Sequence, residues 1–170
     1  MILRLSQPSE EEIAAELAKR GADRADAVKL ARMSGGSMRR AVKLLTSEEE
    51  RALRDGAITA LLAAMNAVPD FRWTKVKRDR ADHLEANELM LLACHDLMLL
   101  SCSLPAEFFP DRANELKNAA LRFTIGDIGC IIRLLTENAE RLSTNAPGGA
   151  SFDRLFASVA EIGLKNKKKD

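Results

Sequence analysis

Apolar residues in this chain recur at three- and four-residue spacings from its first tenth almost to its end, the signature of helices with one buried face. Ile13, Ala14, Leu17 and Ala18 share one face of a predicted helix that Pro8-Ser9 opens and Gly21 stops. Ser9 followed by Glu12 has the form of a capping box, in which the hydroxyl and the carboxylate each satisfy a backbone N–H at the helix start. Asp23 opens a second helix with Ala27, Leu30 and Ala31 inward, and Gly35-Gly36 ends it. A third begins near Met38, with Met38, Ala41, Val42 and Leu45 on one side and Arg39, Arg40 and Lys43 on the other.

Ser47 and Glu50 repeat the capping pattern ahead of a longer helix striped by Ile58, Leu61, Leu62 and Met65 and ended by Val68-Pro69. From Asp70 to Asp82 the periodicity fails, and a basic loop containing Phe71 and Trp73 is expected. A long helix then runs from about Asp82 to Ser101. Another starts at Pro110-Asp111, with Ala113, Leu116 and Ala120 inward. Thr124 and Asp127 cap a helix striped by Ile128, Ile131, Ile132 and Leu135. Asn145 to Gly149 reads as a turn, and Phe152, Leu155, Phe156 and Val159 as the last stripe. Residues Ile2 to Leu5 read as extended, and Lys165 to Asp170 as a charged, disordered tail. The prediction is an all-α fold of about eight helices: a three-helix unit over residues 1–46, a five-helix bundle over 47–164 and a tail over 165–170. No Gly/Ser- or Pro-rich spacer separates the two units, so rigid packing between them is expected.

Composition agrees with helices packed on helices, because aromatic residues make up only 4% of the chain and Tyr is absent. The formal net charge of +1 argues against a protein that coats DNA, so any basic site must be local. Cys94, Cys102 and Cys130 form no Cys-x-x-Cys pair, and they read as buried free thiols of a reducing, cytoplasmic compartment. The most apolar stretch, Leu89 to Leu104, contains His95 and Asp96 and falls short of the ~20 residues a bilayer needs.

The chemistry in the sequence concentrates at Gly35-Gly36-Ser37-Met38-Arg39-Arg40-Ala41. Ser37 is placed to cap the third helix, whose free N–H groups and dipole favour an anion, and Arg39 and Arg40 add two fixed charges on its first turn. Three readings compete for this stretch: surface arginines after a loop, a DNA-binding helix-turn-helix, and an arginine that senses a nucleotide phosphate held by another domain. In the loop after Asp70, Trp73, Lys75, Lys77 and Arg78 admit a nucleic-acid contact by stacking and phosphate pairing. The competing reading is a solvated connection with Phe71 and Trp73 packed on the bundle. Phosphate-binding glycine loops, a catalytic Ser/His/Asp arrangement and metal-ligand spacing around His83 or His95 are all missing. No residue set in the chain is expected to perform catalysis alone, and no metal or cofactor is expected in it.

The order of these motifs resembles the lid of bacterial clamp-loader ATPase subunits. Leu3-Arg4-Leu5, Pro8-Ser9-Glu10-Glu11-Glu12-Ile13, a helix ending at Gly21, and Gly36-Ser37-Met38-Arg39-Arg40-Ala41 carry the likeness. The last of these is similar to the sensor 2 motif. Arg39 matches the Gly-Ser-x-Arg-x-Ala form of motor subunits, and Arg40 the Gly-Ser-x-x-Arg-Ala form of delta-prime subunits. Leu91-Leu92-Ala93-Cys94-His95-Asp96-Leu97 resembles the delta-prime collar helix, with His95 where that family usually has arginine before Asp-Leu-Leu. Leu142-Ser143-Thr144-Asn145-Ala146 resembles the entry to its C-terminal helix.

The resemblance implies that residues 1–46 are an AAA+ lid and 47–164 a collar domain of the delta-prime family of DNA polymerase III clamp loaders. An ATPase-like domain would precede them in the parent, and this chain would be an excised fragment or a truncated paralogue. Its partners would be other clamp-loader subunits through the collar, with the sliding clamp and primed DNA reached indirectly and no membrane involved. ATP, if bound at all, would sit at the preceding domain, facing Ser37, Arg39 and Arg40, and the two arginines would pair with acidic residues there. A motor-type gamma/tau subunit and a helix-turn-helix regulator with a helical dimerisation domain are the alternatives.

Overall fold

Nine α-helices, one short 3-10 turn and no strand make up the regular structure of the described residues, 8–144 and 146–167 of the computed structural model. The expected extended segment at Ile2–Leu5 lies outside them. Helices α1 (Glu10–Lys19), α2 (Arg24–Met33) and α3 (Met38–Thr46) form the first unit. Ser9 and Glu12 make a complete capping box on α1, and the Asp23 carboxylate accepts from the Asp26 amide at the start of α2. Ile13, Leu17, Ala27, Leu30 and Ala31 close a small core of their own. On α3 the buried residues are Ala41 and Leu44, whereas Met38, Val42 and Leu45 are only partly covered. The expected stripe is therefore rotated, because Arg40 and Lys43 turn toward the second unit and bring Leu44 under them.

The second unit comprises α4 (Glu48–Met65), α5 (Phe71–Thr74), α6 (Arg80–Ser101), a 3-10 turn (Pro110–Arg112), α7 (Ala113–Ala120), α8 (Ile125–Ser143) and α9 (Gly148–Lys167). Helix α6 lies at its centre, against α4, α7 and α8, while α9 covers α4 and α8. Its apolar residues are spread around the helix, as a helix walled on several sides requires. Ile58, Leu61, Leu62 and Met65 of α4 and Phe152, Leu155, Phe156 and Val159 of α9 are buried, as their stripes predicted. Each such side chain contributes about 1.5–3 kcal/mol by leaving water. A buried polar chain pins the packing: Ser151 Oγ donates to Asn138 Oδ1 (2.6 Å), Asn138 Nδ2 to Asn87 Oδ1 (2.9 Å) and Asn87 Nδ2 to the Leu135 carbonyl (3.1 Å). No helix among the described residues is long and apolar enough to cross a membrane.

Several expectations are corrected. The loop from Asp70 contains the short helix α5, and α6 begins at Arg80, capped by Asp79. Gly148 and Gly149 belong to the first turn of α9 instead of a turn before it. A side chain at Gly148 would strike the His83 ring at 2.5 Å and one at Gly149 the Thr74 carbonyl at 2.7 Å, so close helix contact is what these positions need. Helix α9 runs on through Lys167, because Asn166 is buried and donates to Asp127 (3.2 Å), which shortens the expected tail to residues outside those described. Only Cys94 is a buried thiol, and Cys102 and Cys130 are exposed. His95 is exposed as well, with its ring edge against Phe108 (5.1 Å).

Candidate functional site at the start of α3

The Gly35-Gly36 turn reverses the chain between α2 and α3 with φ angles of +56° and +77°, a backbone region that glycine enters freely. Ser37 then adopts an extended conformation and its hydroxyl accepts from the Arg40 amide (3.3 Å), capping α3. Ser37, Arg39, Arg40, Lys43, Glu85 and Glu88 line a shallow cleft of about 200 Å³ at this helix start.

The two arginines play different parts. Arg40 is mostly covered and its guanidinium pairs with Glu88 of α6 (3.2 Å). One turn on, Lys43 is held between Glu50 of α4 (2.8 Å) and Glu85 of α6 (2.7 Å). Hydrogen bonds to Glu50 and Glu85 hold the Lys43 ammonium above the usual lysine range. Arg39 is exposed and pairs with no described residue. Arg40, expected to pair with acidic groups of another domain, has a carboxylate partner within this chain. What the site retains for an external anion is Arg39 together with the helix start. The cleft holds no histidine or cysteine. Its one hydroxyl, that of Ser37, is engaged as a cap.

Glu50 shows why the second capping pattern is only half realised. Ser47 Oγ accepts from the Glu50 amide (3.2 Å), but the Glu50 carboxylate is spent on Lys43 instead of reaching back to the Ser47 N–H.

The basic segment after Asp70 is divided between packed and exposed side chains. Trp73 packs on Phe152 (5.3 Å between ring centroids) and Phe156 (5.8 Å), and Arg78 lies over its ring at 4.2 Å while donating to its carbonyl (2.7 Å). These contacts commit the indole and Arg78 to the bundle, against the reading in which Trp73 stacks on a base. Lys75 and Lys77 remain exposed.

Two buried charged residues organise the surroundings, and the hydrophobic pattern singles out neither as a site. Asp96 is fully buried and accepts from the amides of Glu107 (3.0 Å), Phe108 (3.0 and 3.2 Å) and Phe109 (2.7 Å). This fixes the α6–α7 connection, whose Phe108 side chain rests on Gly35, where an added Cβ would meet its ring at 2.8 Å. Arg54, 1% exposed, makes a two-pronged pair with Asp111 (2.6 and 3.0 Å) and lies over the Phe109 ring at 4.8 Å. The only available signal was a charged residue inside an otherwise apolar face, Asp96 between Cys94 and Leu97 and Arg54 between Leu53 and Ala57.

Among the described residues, no group of three or more His, Cys, Asp or Glu side chains is placed to hold a metal ion. The chain matches no protein-family model, no curated protein and no solved structure.

Proposed function

We propose that this chain is a non-catalytic lid and collar of a cytoplasmic clamp-loader subunit of bacterial DNA polymerase III, of the delta-prime type. Its role is to help assemble the loader ring that places the sliding clamp on primed DNA. The three-helix unit is read as the lid and the larger bundle as the collar, through which neighbouring loader subunits are engaged. The observation that carries this reading is the capped start of α3, which leaves Arg39 unpaired with any described residue while Arg40 is bound to Glu88. A lid that reports on a nucleotide cleft in a preceding ATPase-like domain needs such a charge on its outer side. The pairing of Arg40 and Lys43 with glutamates counts against the DNA-reading alternative, because a recognition helix needs those side chains for base edges and phosphates.

One observation favours a motor-type subunit as a second reading. The free arginine, Arg39, occupies the position that motor-type sensor 2 motifs use, and the engaged one the delta-prime position. Size-exclusion chromatography with the other clamp-loader subunits tests the main proposal. A stable hetero-oligomer is expected, and a chain that stays apart from them while shifting duplex DNA as a homodimer overturns it. Nucleotide binding by the full-length parent separates the two loader readings. Tight ATP binding lost on Arg39→Ala identifies the motor type, and no such loss the delta-prime type.

A further inference from the structure

The two units keep separate hydrophobic cores, one built by α1–α3 and the other by α4–α9 with their connections. Covalently they meet at one residue, because Ser47 is at once the C-cap of α3 and the N-cap of α4, in an extended conformation with φ −131° and ψ 120°. Phe108, held in place through its own amide by Asp96, forms an apolar stop against Gly35. Helix α2 also packs against the 3-10 turn Pro110–Arg112, and the other side-chain contacts across the junction are ionic. Arg40 pairs with Glu88, and Lys43 bridges Glu50 and Glu85.

We propose that these pairs form an ionic clasp that sets the angle of the three-helix unit on the bundle about a hinge at Ser47. The closed arrangement is the one described above. When the pairs are broken or screened, the unit turns away from α6 while both cores stay folded. The clasp stands on these contacts alone, whatever assembly the parent joins. Apolar cores are nearly indifferent to salt, whereas partly exposed ion pairs weaken as the Debye length falls to about 3 Å at 1 M. The junction is thereby the charge-sensitive joint of the molecule. It converts a change of charge at Arg40 or Lys43 into a change in the direction in which Arg39 points.

The thiols supply the means to test it. Cys130 is exposed on the bundle and accepts a spin label directly, and Cys94 is buried and inert. With Cys102→Ser and Lys29→Cys on the exposed side of α2, electron–electron resonance measures the distance between the two units. The expected result is one narrow distribution at low salt. It should broaden toward longer distances in Glu50→Gln/Glu85→Gln/Glu88→Gln and, for the unmutated clasp, in 1 M KCl. The ratio of open to closed forms should rise roughly 5- to 30-fold on losing all the pairs. Arg40→Glu alone should broaden the distribution, and adding Glu88→Arg should narrow it again, which a variant that merely misfolds does not do. A distribution that stays unchanged in the triple variant or in salt, or a charge swap that fails to restore it, overturns the clasp.

Discussion

Replacing Asp96 by Asn tests how far one buried carboxylate determines the order of the α6–α7 connection. The substitution keeps size and shape and removes a charge and one acceptor atom. Asp96 Oδ1 accepts from the amides of Glu107 and Phe108, and Oδ2 from those of Phe108 and Phe109. An asparagine amide presents one oxygen, so whichever way it is turned, the Glu107 or the Phe109 amide faces an NH2 group. A hydrogen bond to a charged group is worth about 1.5–3 kcal/mol, and an unsatisfied buried donor costs a further 1–3 kcal/mol. The Phe109 amide is buried and the Glu107 amide partly so, and the loss falls in the range of roughly 2.5–6 kcal/mol. For a domain of this size each kcal/mol moves Tm by about 2–4 °C, which gives a fall of roughly 5–24 °C. Thermal melts followed by far-UV circular dichroism, paired with urea unfolding of the same samples, measure both quantities. A variant within about 1 kcal/mol of the native protein would refute the reasoning, since it would mean that these amides find water or relax at little cost. Because Phe108 also rests on Gly35, the same variant should loosen the contact between the two units.

Three further outcomes follow from named contacts. Gly163→Ala should destabilise the protein by about 1–3 kcal/mol by overpacking, although alanine is the better helix former, because the new Cβ would overlap the Met65 carbonyl oxygen; equal or higher stability in urea would refute this. Burial pushes the Cys94 thiol up to about 12, while Cys102 and Cys130 are exposed, so iodoacetamide near pH 8 should modify two thiols in the native protein and three in denaturant, counted by intact mass. The raised ammonium of Lys43 contributes stability that is fully present below the ordinary lysine value of 10.5 and is lost as pH rises through the higher folded value. The urea-measured advantage of the native chain over Lys43→Met should therefore be level from about pH 7 to 10 and shrink above that, and a decline that begins below about pH 9 would refute the assignment.

Most of the helical architecture is legible in the sequence because helices such as α1, α2, α4 and α9 bury a stripe at regular spacing. Ile13 and Leu17, Ala27 and Leu30, and the α4 and α9 stripes all fall where their spacing put them. Where a residue serves two partners the pattern misleads. Helix α3 packs on its own unit and reaches across to the bundle, so Leu44 is buried while Val42 and Leu45 are only partly covered. Cys130 was expected to be buried and is exposed, although a face built from Ile128, Ile131 and Leu135 already turns residue 130 outward. Asp96 and Arg54 were not legible, because their roles depend on partners across the chain. The amides that Asp96 accepts from lie 11 to 13 residues on, and Asp111 lies 57 residues from Arg54. Likewise, glycines that permit a turn and glycines that permit close helix contact have the same letter, which is why Gly148-Gly149 read as a turn.

The same distinction bears on the candidate site. Successive residues of a helix are turned by about 100°, so two adjacent arginines leave the helix in different directions. Arg40 and Lys43 lie one turn apart on α3 and meet Glu88 and Glu85, one turn apart on α6, in reversed order. That matched pair of pairs gives Arg40 a fixed direction, and the direction of Arg39 follows from it. The stretch Gly36-Ser37-Met38-Arg39-Arg40-Ala41 thus carries two adjacent arginines but leaves only Arg39 without a partner among the described residues. An anion that engages Arg39 alone leaves the pairing with α6 intact. An anion that recruits both arginines must displace Glu88, and the energy of that displacement is charged against its binding. Selection between the two modes therefore depends on Glu88, a residue outside the motif and on the other unit.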